Sequence, residues 1–199
     1  MPLKKIAVLL FGLASSWAAA ESSVLELFAR GSISKNYFTA TSYIVSVSGA
    51  TGVAFTLIPR IRLEGRYTNS SSLQNQLTVS SGSISGTLND IMTQTSIYSV
   101  GVDFDLLGQQ SAFQPFIYLG AGYVVTERSY YFLDSGGTTS IFLKDPVQTG
   151  ISANVGLGFR LRIANAIALE VEAFAYGVNV HLPRPLINVF GSAGIRIFI

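Results

Sequence analysis

Two pairs of acids, Asp103 with Asp105 and Glu170 with Glu172, are each spaced two residues apart. In an extended chain that spacing puts both carboxylates on one face, where a pair could do general acid–base chemistry. The same parity also carries arginines, Arg160 and Arg162 on one stretch and Arg62 and Arg66 on another. Carboxylates met by guanidiniums point to ion pairing rather than proton transfer. His181 is the only histidine, set in VNVHLPRP. Acyl transfer would ask for a serine nucleophile and an orienting acid beside it, and no serine follows up to Ile187. Partners from another loop would have to complete such a site, so His181 reads as a loop histidine. With one histidine and no cysteine, neither a metal site nor thiolate chemistry is expected. Gly156-Leu157-Gly158 falls within a strand pattern with no helix after it, unlike a phosphate-binding loop. No catalytic residue, cofactor or metal ligand is therefore assigned.

These residues must be held by strands. The 199-residue chain has a mean hydropathy of +0.44, yet only 12% of its residues are charged. Beyond the first 20 positions, no apolar run reaches the roughly 18 residues of a membrane-spanning helix. A chain that is apolar overall but broken into alternating segments suits a transmembrane β-barrel. Residues 1–20 have the plan of a cleavable signal peptide: Lys4-Lys5, an apolar run from Ile6 to Ala14, and small residues ending at Ala18-Ala19-Ala20. Cleavage would leave 21–199 as one barrel domain. Without Lys4 and Lys5, eleven basic residues face eleven acidic ones, so no nucleic-acid surface is expected.

Alternation predicts eight strands: 24–32, 42–58, 61–68, 96–107, 114–126, 155–163, 167–176 and 188–199. Short turns at Pro59-Arg60, Gly108 to Phe113 and Ala164 to Ala166 alternate with longer polar connections. Two of these, 69–95 and 127–146, are long enough to be exposed loops. Within the first, Leu77 to Ile84 alternates weakly and would prolong the flanking strands. Tyr130-Tyr131-Phe132 in the second would serve adhesion, lipid contact or packing within the loop. Short turns on one rim and long loops on the other match outer-membrane barrels, with both termini at the periplasmic rim. About Asn165 the pairing would set Arg160 opposite Glu170.

The two strand faces differ in charge. One carries Glu26, Arg30, Arg62, Glu64, Arg66, Asp103, Asp105, Arg160, Arg162, Glu170, Glu172 and Arg196, six cations against six anions with no lysine. Arginine suits fixed, multidentate pairing in a narrow interior. The other face is charge-free, with Tyr43, Tyr67, Tyr98 and Tyr123 towards the long loops and Phe55, Phe104 and Phe159 towards the turns. The expected architecture is an all-β, eight-stranded antiparallel up-and-down barrel, its interior closed by a structural ion network.

With that pattern, and with YLGAGY at Tyr118 to Tyr123 and VGLGFRLR at Val155 to Arg162, the mature chain resembles the small outer-membrane β-barrels. These include the OmpA-type transmembrane domain, OmpX and the opacity-type surface proteins. The resemblance implies a cell outer-membrane location, insertion by the barrel assembly machinery and contact with outer-membrane lipids. It leaves the role open: a structural or surface-interaction barrel acting through loops 69–95 and 127–146 on an extracellular ligand or host surface, a small pore, or a lipid-modifying enzyme. One departure stands out. Such barrels usually end in an outward aromatic residue, whereas here Ile199 takes that position and Phe198 points inward. Either the ending is relaxed, or the last register is off by one.

Overall fold

Alternation at period two becomes a continuous hydrogen-bonded ladder in the computed structural model. It describes residues 25–37, 43–81, 84–107, 111–134, 140–178 and 186–199. The signal-peptide segment 1–20 and His181 lie outside the described residues. In chain order the strands are β1 (Leu25–Tyr37), β2 (Tyr43–Ile58), β3 (Ile61–Ser81), β4 (Ile84–Asp105), β5 (Phe113–Asp134), β6 (Ser140–Lys144), β7 (Gln148–Ala164), β8 (Ile167–Val178) and β9 (Leu186–Phe198). Every pairing is antiparallel. Eight strands follow one another round the wall, and β9 pairs with β1 from Glu26↔Phe198 to Gly31↔Ala193, which closes it. Closure leaves no sheet edge at membrane depth, as a spanning strand structure requires.

The barrel wall has the expected eight strands, and β6 is an additional short strand outside it. Among the described residues it pairs only with β5, from Ser129↔Lys144 to Leu133↔Ser140, above the point where β5 leaves β7 at Thr126↔Gln148. The two long connections are likewise mostly strand rather than loop. β3 and β4 stay paired as far as Ser81↔Ile84, and β5 runs on to Asp134. Polar composition suggested solvated loops, but an antiparallel ladder satisfies its own backbone and tolerates serine and threonine on both faces. A strand needs about 9–11 residues to cross a bilayer, so the 21 of β3 and the 22 of β4 stand far beyond it. Ladder pairing shifts between Asn89 and Met92, where Asp90 takes a φ of 51°. Aspartate is among the few residues that adopt this left-handed conformation readily.

At the other rim the turns are short. Arg60 has φ 78° after Pro59, the arrangement of a type II turn with proline at its second position. Arg160↔Glu170 pair as the symmetry about Asn165 required, until the register shifts between Arg162 and Ala164. At the end of β9 Phe198 is buried and the following Ile199 exposed, so the last register stands as read.

The outward face is apolar: Leu27, Val53, Leu63, Leu119, Leu157, Val171 and Ile195 are all exposed. Tyr67 and Tyr98 pack side by side at one rim with ring centroids 5.1 Å apart, and Phe113 and Phe159 pair at the other at 5.5 Å. Inside, glycines make room for large side chains. A Cβ at Gly101 or Gly120 would strike the Tyr118 ring, and one at Gly158 the Phe116 ring.

Candidate functional site: the barrel interior and its outer mouth

Inward positions of β1, β3, β4, β7, β8 and β9 bring the charged residues into one buried cluster. Arg62 donates from Nε to Glu26 (2.6 Å) and from both terminal nitrogens to Asp105 (2.7 and 2.5 Å). Arg196 reaches Glu170 (2.5 Å), Glu26 (3.0 Å) and Glu64 (2.9 Å). Arg160 donates to Glu170 (2.9 Å), to Asp105 (2.7 Å) and to Asp103. Arg66 forks between Glu64 (2.6 Å) and Glu172 (3.0 Å), while Arg30 meets Glu170 and Glu172. Glu170 thus receives three guanidiniums from three strands. Such forked, charge-assisted bonds fix geometry as well as charge.

One expected member stands apart. Arg162 forms no ion pair among the described residues and is only half-buried. Its guanidinium lies 4.6 Å from the centre of the Phe198 ring. It stands two residues from the end of β7 at the short-turn rim, opposite Ala168, where no carboxylate faces it. Five guanidiniums therefore meet six carboxylates in the ion-paired set. Asp103 has the fewest bonds, with Oδ1 buried and unbonded.

Aromatic rings lie against the guanidiniums. Arg160 sits 3.9 Å from the Phe116 ring centre, and Arg66 lies 4.0 Å from Tyr118 and 4.7 Å from Phe174. Above them Phe174, Tyr176 and Phe190 stack with centroid separations of 5.2 to 6.4 Å. Strand alternation put Tyr118 and Phe28 on the inner face. It gave no sign that Phe28 would lie against Arg30, Arg66 and Arg196, or Tyr118 against Arg66.

Side-by-side acids and guanidiniums leave little room for acid–base chemistry. The carboxylates of Glu64, Asp103 and Glu170 are fully buried, and each accepts from at least one arginine. Among the described residues no group of three or more histidines or acids could hold a metal ion.

The outer mouth is different in character. Beyond the aromatic layer a cavity of about 560 Å³ is lined by Ile44, Ile91 and Pro146 and by polar residues that include Arg128, Asp145, Gln148 and Asn188. Asp145 accepts a hydrogen bond from the Tyr130 hydroxyl (3.0 Å), and that bond holds the phenol above its usual range. Tyr131 instead faces outward against Phe142, with ring centroids 5.3 Å apart. The aromatic trio is thus divided between packing and exposure. Arg128 was missed because its stretch read as loop, yet it continues the even-numbered inward series of β5.

No family model and no curated protein matches the sequence. Solved structures do. Neisserial surface protein A is 18% identical with a TM-score of 0.51, over 90% of this chain and all of that one. The N-terminal β-barrel domain of Pseudomonas aeruginosa OprF is 15% identical over 89% and 98%, with a TM-score of 0.41. Ail, the attachment invasion locus protein of Yersinia pestis, is 8% identical over 88% and 96%, with a TM-score of 0.45. At these identities the likeness to Neisserial surface protein A establishes a shared fold: this chain has the eight-stranded barrel fold of small outer-membrane proteins.

Proposed function

We propose that this chain is an outer-membrane barrel of structural and surface-interacting role, with its interior sealed and its long hairpins turned outward. The observation that carries the reading is the reversal of polarity across one wall. Exposed Leu119, Leu157 and Val171 face out while Arg160 and Glu170 are fully buried within. A soluble barrel would show water the opposite arrangement, whereas lipid demands this one. Lipids of the outer membrane are then the partner of the apolar belt, and the barrel assembly machinery its route of insertion. The twelve charged residues of the inner parity act structurally, Arg162 by stacking at the rim and the rest by closing the lumen. Eight strands enclose an interior that side chains can fill. The buried carboxylates each accept from arginine, which favours a non-enzymatic role. The small-pore reading is weaker because five guanidiniums from four strands cross the lumen.

Extracellular partners would meet the projecting β3–β4 and β5–β6 hairpins. Two measurements test the reading together. The folded protein should fractionate with outer membranes and migrate differently on a gel before and after boiling. Protease added to intact cells should cut within 69–95 or 127–146 and spare the barrel. Recovery in the soluble periplasm with one gel mobility would refute it.

A further inference from the structure

The cavity at the outer mouth has two charges of opposite sign that do not neutralise each other. Arg128 and Asp145 both line it, and the backbone NH of Asp145 donates to the Arg128 carbonyl at 2.9 Å. Despite being neighbours, their side chains form no ion pair, and Arg128 has none with any described residue. Its Nε is enclosed and without a hydrogen-bond partner, a costly condition for a charged donor. The nearest ring, Tyr130, lies 5.7 Å away. Asp145 has one oxygen engaged by the Tyr130 hydroxyl. Round the same cavity stand the carboxamides of Gln148 and Asn188 and the hydroxyls of Thr126 and Ser72. At about 560 Å³ it falls in the size range of small-molecule sites.

An anion would satisfy Arg128 but meet the Asp145 carboxylate, and a cation would suffer the converse. A molecule carrying both signs, close together, suits both. We infer that the outer mouth binds a small zwitterion of the α-amino acid type, its carboxylate received by Arg128 and its ammonium by Asp145. Gln148 and Asn188 would take the hydrogen bonds of a polar side chain. This rests on the outward placement proposed above for the hairpins, because Arg128 and Asp145 belong to the β5–β6 arm. It names a ligand class for that end of the barrel.

The test uses the whole barrel folded into lipid nanodiscs, with folding verified by its heat-dependent gel mobility. Ligand-observed NMR titration would compare L-glutamine, N-acetylglutamine and the carboxamide of glutamine. Glutamine is expected to bind saturably with a Kd of about 1 mM or tighter. Removing either charge should weaken binding about tenfold or more. Arg128→Gln should reduce glutamine to the level of its carboxamide, and Asp145→Asn to the level of the N-acetyl compound. Three results would overturn the inference: no saturable binding to the folded barrel, equal binding of all three compounds, or undiminished binding by Arg128→Gln. Each of these could occur while the protein still fractionates as an outer-membrane barrel. Failure here is thus distinguishable from failure of the proposed role.

Discussion

Glu170 and Arg162 lie on the same inner parity but differ in consequence. Glu170 accepts from Arg30, Arg160 and Arg196. Glu170→Ala would leave those guanidiniums without their shared partner, and a cost of about 3–5 kcal/mol is expected in equilibrium unfolding by urea. Arg162→Ala removes one ring contact at the rim and should cost about 0.5–1 kcal/mol. Similar losses for the two would contradict the assignment of Arg162 outside the ion pairs. Asp103 and Asp105 separate in the same way. Asp105 accepts both terminal nitrogens of Arg62 as well as Arg160, while Asp103 Oδ1 has no bond. Asp105→Asn should therefore lower the unfolding midpoint further than Asp103→Asn. Sequence spacing could place these acids on one face, but not apportion their partners, because the partners come from strands far apart in the chain.

Strands were legible wherever the two faces differed, since alternation is read directly from residue type. Val155 to Tyr176 is the clearest case: Gly156 and Gly158 alternate with apolar neighbours, and Arg160↔Glu170 pair as expected. Legibility failed where both faces became polar. From Asn69 to Thr95 only the weak alternation of Leu77 to Ile84 marked the emergent strands, because a ladder in water needs no apolar side. The same blindness hid β6 and the inward series that ends at Arg128. Two predictions belong to these elements. Gly158→Val should prevent efficient folding, because the added side chain would press on the Phe116 ring and the Val171 carbonyl. Gel-shift assay of refolding would show a reduced folded band. Deleting 76–86 and closing the β3–β4 hairpin lower down should leave the barrel's heat-dependent mobility intact. The wall below is paired independently of that tip, from Gln74↔Ile91 down to Ile61↔Phe104.

For the molecule as a whole, the interior decides between a seal and a conduit. Arginines from β1, β3, β7 and β9 reach acids from β1, β3, β4 and β8, so the cluster crosses the lumen in several directions. In planar bilayers the native protein is expected to give no steady single-channel current. Replacing Arg160 and Glu170 together by alanine should open measurable conductance or destabilise the barrel. A native channel whose conductance is unaffected by that pair would show that ions pass elsewhere.

Arg196 also gives the structure an order in time. It lies three residues from the end of the chain, yet its guanidinium gathers Glu26 from the first strand, Glu64 from the third and Glu170 from the eighth. Until β9 docks on β1, those three acids lack one of their counter-charges and the nascent wall is an open trough. A half-built trough of that kind has to keep water in it to solvate them. Arrival of the last strand would then act as the latch that both shuts the wall and drives the water out. Stalled assembly at that step should leave a species whose inner carboxylates stay open to solvent.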